Sequence, residues 1–180
     1  MKYANPILVF VDVQEKLNNV IHDKDDLIPR LEKLLKGLEL LNVPVLWLEQ
    51  YPKGLGTTVE SLKEILNAGG NSSIVKNTFS AWGSMEFQEQ LKESGADHIL
   101  LAGMESHICV FQTARDLLLE NYDVDVIVDC VSSRTKENKD LGIDRMIGYG
   151  AGTTGLESLL FELLETAEHP KFKDISRLIK

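Results

Sequence analysis

Apolar positions along this chain fall into two kinds of run that alternate. Short, nearly unbroken runs occupy residues 7–13, 45–48, 73–75, 98–102 and 124–128. Runs of that length, bounded by polar residues and turn formers, predict strands covered on both faces. Between them, apolar residues recur at helical spacing, as at Leu27, Leu31, Leu34, Leu35, Leu38 and Leu41. This periodicity predicts helices over about residues 25–41, 59–66, 85–92, 141–147 and 156–167, and another opening at the polar elbow 104–107 with Ile108, Phe111, Ala114, Leu117 and Leu118 on its inner face. Residues 49–56 and 77–83 read as loops, 150–155 as a turn that holds a short sixth strand, and 171–180 show no usable pattern. Strands alternating with helices predict an α/β three-layer sandwich: a doubly wound, mostly parallel six-stranded sheet with helices on both faces. With no repeat and no low-complexity linker, residues 1–180 read as one domain.

In such a sheet, function gathers at the carboxyl ends of the strands. Three chemically able residues stand there: Asp12 after the first strand, Lys76 after the third and Cys109 just past the fourth. If the chain reverses direction after the third strand, the first and fourth become neighbours, and Asp12 and Cys109 flank the switch-point crevice. Cys109 lies in the first turn of a helix, where free N–H groups and the helix dipole favour a thiolate. An acid, a base and a nucleophile at one edge form a catalytic set. Each alone has a plainer explanation: a turn cap for Asp12, a surface lysine for Lys76, a small buried hydrophobe for Cys109.

Composition narrows the classes. Nineteen Lys and Arg against 28 Asp and Glu give a formal charge of −9, which argues against a nucleic-acid partner. No apolar run is long enough for a membrane span and no signal-peptide pattern opens the chain. Two cysteines in 180 residues make no disulfide framework, so a reducing cytoplasm is the expected compartment.

The motifs VFVDVQ (residues 9–14), EQYPKGLG (49–56), VKNTFSAW (75–82) and GMESHICV (103–110), with the weaker GAGTTGLESLLFELL (150–164), resemble the isochorismatase-like cysteine hydrolases, which include nicotinamidases and N-carbamoylsarcosine amidohydrolase. The resemblance covers nearly the whole chain, and its second and last motifs look most like a branch of uncharacterised hydrolases. It implies that Asp12, Lys76 and Cys109 are a catalytic triad. It also implies a cis peptide between Met104 and Glu105 that aims the N–H of Glu105, with that of Cys109, at an oxyanion. The implied activity is cofactor-free hydrolysis of a small amide, carbamoyl or ester-like substrate through a covalent thioester-type intermediate. Gln14 is expected to orient polar groups of the pocket. Tyr51, Phe79 and Trp82 are candidate walls, or equally core or subunit-interface residues. Relatives assemble into dimers or larger rings, so a homo-oligomer is expected. The other class of function is a flavodoxin-like binding or scaffold protein that keeps the triad without turnover.

Nicotinamidases carry a metal site of an Asp and closely spaced histidines after the second strand, whereas here that stretch has no histidine and the four histidines are scattered. No metal and no other cofactor is therefore expected, and nicotinamide is disfavoured as substrate. His107 neighbours the nucleophile but points elsewhere on a helix, and Cys130 reads as a buried strand-end residue. Residues 150–155 match GxGxxG, yet they follow a helix and leave too little chain for a dinucleotide-binding unit.

Overall fold

The computed structural model describes residues 3–180. Its strands are β1 (Pro6–Val11), β2 (Val45–Gln50), β3 (Ser73–Lys76), β4 (His98–Met104), β5 (Asp123–Ser132) and β6 (Gly152–Thr154). The helices are α1 (Glu15–Asn18), α2 (Lys24–Leu40), α3 (Pro52–Leu55), α4 (Glu60–Ala68), α5 (Met85–Ser94), α6 (Phe111–Leu119), α7 (Lys136–Gly148), α8 (Leu156–Leu164) and α9 (Phe172–Ile179). The six strands form one sheet in the order β3-β2-β1-β4-β5-β6, and every neighbouring pair is parallel. The chain builds outward from β1 to β3, then returns to lay β4 on the other side of β1. The switch point therefore falls between β1 and β4, as the sequence predicts.

Strand alternation explains the unbroken apolar runs. In β1, Leu8 and Phe10 join one core with α2, α4, α8 and α9, while Ile7, Val9 and Val11 join a second core with α5, α6 and Met146 of α7. Both faces are covered, so both sets of alternating positions are apolar. Each fully buried Leu, Ile or Phe contributes about 1.5–3 kcal/mol. Gly103 marks where β4 presses on β1. With φ +124°, it sits so close that a Cβ would lie 2.0 Å from the Val11 carbonyl oxygen.

Several boundaries differ from the sequence prediction. The segment expected as patternless at the carboxyl end is helix α9, with Ile175 buried against α2 and α8 and Phe172 edge-on to Phe161. The loop expected over residues 49–56 begins as the last two residues of β2 and contains the short turn α3. Among the described residues, no helix is long and apolar enough to cross a membrane.

Candidate functional site

The carboxyl edge of β1, β2 and β3 brings together three polar side chains that are almost wholly buried. Asp12 follows β1 with a left-handed backbone (φ +50°), a conformation that aspartate tolerates better than most residues. Lys76 ends β3, and its ammonium donates to Asp12 Oδ2 at 2.6 Å. Both side chains are fully buried. The same ammonium reaches Gln50 Oε1 at 2.8 Å and the carbonyls of Phe79 and Thr78 at 3.1 and 3.2 Å. Four acceptors thus surround three N–H bonds, and the lysine has no donor left over. Asp12 Oδ1 is buried and, among the described residues, accepts no hydrogen bond at ordinary distance.

Cys109 completes the group from the β4 side. The Met104–Glu105 peptide is cis, and after it the chain enters a π-helical turn, Ser106–Val110, before α6. The Glu105 carbonyl accepts from Ile108 N at 3.0 Å and from Val110 N at 3.2 Å. Such widened turns recur at functional sites because they re-aim one side chain. Helix α7 backs this elbow at Gly142, where a Cβ would come within 2.5 Å of the Ser106 carbonyl group. Glu105 is buried, and its carboxylate is held bidentately by Arg134 at 2.8 and 3.1 Å.

The electrostatics correct one expectation. Placement at the start of a helix predicts a thiolate. Instead, burial pushes the Cys109 thiol up to about 12, and the neighbouring Asp12 charge adds to that push more than Lys76 relieves it. Burial also raises the Asp12 carboxyl above its ordinary range, while Lys76 and the Cys109 thiol pull it down. Burial thus favours the neutral form of both groups, and Lys76 opposes it at each.

The other candidate residues divide. Gln14 is fully buried and does not face the triad directly. Its amide donates to the Gln50 and Gly56 carbonyls at 3.0 and 2.6 Å and accepts from Gln50 N at 2.7 Å. Tyr51 and Phe79 are about half exposed, and both are tied to Lys76 through the backbone: Tyr51 N donates to the Lys76 carbonyl at 3.0 Å. Trp82 is not brought to the triad. Its ring packs edge-on against Tyr122, with the Lys92 ammonium 5.8 Å from its centre. Those partners lie at the ends of α6 and α5 remote from Cys109, so the side chain runs back along the helices. His107 Nδ1 lies 3.0 Å from Ser133 Oγ. Cys130 is fully buried within β5.

Gln50 escaped sequence reasoning although it touches Lys76 directly. Its one signal was position, as the last residue of a strand whose neighbours end on Asp12 and Lys76. Among the described residues no group of three His, Cys, Asp or Glu is placed to hold a metal ion. Two cavities, of about 290 and 190 Å³, share Asn42, Val43 and Pro44 ahead of β2, at the sheet edge opposite the triad.

Comparison with known proteins identifies the family. Residues 6–158 match the Isochorismatase domain. The chain is 36% identical over 174 residues to isochorismatase family protein 1A of Dictyostelium discoideum, covering 95% of this chain and 84% of that one. Among solved structures, MAR1 ribonuclease from Caenorhabditis elegans superposes with a TM-score of 0.88 at 35% identity, over 97% of this chain and 89% of that one. The fold is also shared with the YcaC gene product of Escherichia coli, described as an octameric hydrolase of unknown specificity, with a TM-score of 0.86 at 21% identity over 97% and 92% of the two chains. The chain belongs to the isochorismatase family.

Proposed function

We propose that this chain is a cysteine hydrolase that cleaves a small amide, carbamoyl or ester-like substrate without a cofactor, using Asp12, Lys76 and Cys109. The observation that carries the proposal is the fully buried Asp12–Lys76 pair next to the Cys109 thiol. Burying two charges is costly unless they are paired and hydrogen-bonded, and such sites concentrate where chemistry needs them.

The protonation state sets the order of events. Because the resting cysteine is a thiol, Asp12 takes its proton as Sγ attacks the carbonyl carbon. The backbone N–H groups of Glu105 and Cys109 hold the oxyanion. Asp12 returns the proton to the leaving nitrogen or oxygen as its bond to carbon breaks, and a thioester remains on Cys109. Asp12 then removes a proton from water as its oxygen attacks the thioester, and the thiol leaves with that proton. Lys76 favours the ionised form of Asp12 between these proton transfers. Tyr51 and Phe79 wall the pocket, and Gln14 acts on it through Gln50. Trp82 supports the loop and does not touch the substrate.

RNA is a poorer substrate for this chain, although the C. elegans neighbour is named a ribonuclease. A formal charge of −9 repels a polyanion. We further propose a homo-oligomer, supported by the half-exposed Tyr51, Phe79 and Val75 beside the site. A panel of small amides, carbamoyl compounds and esters, with mass-spectrometric trapping, tests the activity. An acyl or carbamoyl adduct is expected on Cys109. Turnover is abolished in Cys109→Ala and nearly unchanged in Cys130→Ala; the reverse pattern refutes the assignment. A Cys109 that no compound of the panel acylates or carbamoylates supports the scaffold alternative.

A further inference from the structure

Gln50 makes more contacts with the buried pair than a strand-end residue needs. Its Oε1 accepts from the Lys76 ammonium at 2.8 Å and its Nε2 donates to the Asn77 carbonyl at 2.9 Å. Those two partners fix which end of the amide is oxygen, since an ammonium can only donate and a carbonyl can only accept. The backbone of the same residue is clamped from the other side. Gln14 accepts from Gln50 N at 2.7 Å and donates to Gln50 O at 3.0 Å, so one side-chain amide closes on both polar groups of one residue. Nothing about this double clamp is required to end β2, which already pairs with β1 and β3.

We infer that Gln50 is a positioning residue for the hydrolytic site, whose amide holds the Lys76 ammonium in line with Asp12 Oδ2 and does so because it accepts a hydrogen bond without carrying charge. The inference rests on the hydrolase proposed above. Lys76 can turn about its flexible stem, and four acceptors compete for its three N–H bonds. Gln50 occupies one direction and so leaves the shortest contact, at 2.6 Å, for Asp12. A carboxylate at position 50 would compete for the ammonium and place a second negative charge beside Asp12. The groups acting on Asp12 from its neighbours are Lys76 from β3, Cys109 from the elbow and Glu49 from β2. A further anion there favours the protonated, inactive form of Asp12.

The test needs no substrate. The rate of Cys109 alkylation by iodoacetamide is followed by peptide mass spectrometry from pH 4 to 10 in the parent, in the near-isosteric Gln50→Glu variant and in Gln50→Met. In the parent the rate rises through an acid limb as Asp12 ionises and then levels off. Gln50→Glu is expected to move that limb upward by about one pH unit, a roughly tenfold slower reaction on the limb itself, in a protein that still unfolds cooperatively. Gln50→Met, which removes the acceptor, is expected to lower the plateau about tenfold. A limb in Gln50→Glu that coincides with the parent overturns the inference and leaves the hydrolase intact. A parent rate that climbs tenfold per pH unit with no plateau overturns Asp12 as the base, and this inference with it. Loss of the fold in both variants also overturns it, because the residue is then structural.

Discussion

Removing Lys76 tests the electrostatic core of the site more directly than removing the nucleophile. Lys76→Met keeps most of the stem's volume but deletes the charge opposite a fully buried Asp12. Breaking one side of a buried pair costs about 3–5 kcal/mol, because the remaining charge has neither water nor a counterion. The loss must depend on pH, and its sign follows from linkage. Burial already raises the Asp12 carboxyl above its ordinary range, and Lys76 is the largest influence holding it down. In Lys76→Met the carboxyl rises further, so the folded state keeps a proton that the unfolded chain releases near pH 4. Stability is then greatest below that pH. It falls by about 1.4 kcal/mol per unit as pH rises, until the folded carboxyl ionises too, and is flat thereafter. Urea unfolding at pH 5, 6, 7 and 8, at one protein concentration, should show Lys76→Met losing about 3–5 kcal/mol against the parent at pH 8. Roughly 2–3 kcal/mol of that should return by pH 5. Adding Asp12→Asn should restore stability at high pH while leaving the protein inactive. A loss that is equal at every pH, or below about 1 kcal/mol, refutes an ionised Asp12 supported by Lys76.

Two further outcomes follow from the packing. Gly103→Ala puts a methyl group 2.0 Å from the Val11 carbonyl at a left-handed φ, which should cost about 3 kcal/mol or more and lower Tm by roughly 6–12 °C; a melt within about 2 °C of the parent would refute the close approach. Light scattering at low micromolar concentration should give a multiple of the 20.2 kDa chain, and a fully active single chain would refute the assembly.

Legibility in the sequence followed how local the physics is. The strands were readable because burial on both faces removes polar residues from the whole run, and β1 shows it at Ile7, Leu8, Val9, Phe10 and Val11. Asp12, Lys76 and Cys109 were readable because each interrupts or follows such a run with a titratable group. Helix α9 was missed although Phe172, Ile175 and Ile179 lie on one face, since the segment is short and its packing partners α2 and α8 are distant in sequence. For Trp82 the sequence leaves a pocket wall and a core or interface residue equally open, because the contacts that place its ring, with Tyr122 and Lys92, come from distant parts of the chain. The protonation of Cys109 was misjudged because a helix start is a local feature, whereas burial and the charge of Asp12 are properties of the assembled site.

Which hydrogen-bonding positions are filled decides how the triad divides its work. Lys76 has acceptors for every N–H bond and no lone pair, so it can neither take a proton from the thiol nor reach a substrate without breaking a contact already made. Its contribution is a fixed positive charge that offsets part of the burial of Asp12. Asp12 is built the opposite way. Oδ2 is committed to the ammonium, and Oδ1 is buried without a partner at ordinary distance among the described residues. Oδ1, which the ammonium does not engage, is the oxygen of that carboxylate open to a proton from the thiol. In the proposed mechanism that oxygen is the base, and the thiol beside it, held neutral first by burial and then by the charge of Asp12, is the group from which the proton comes.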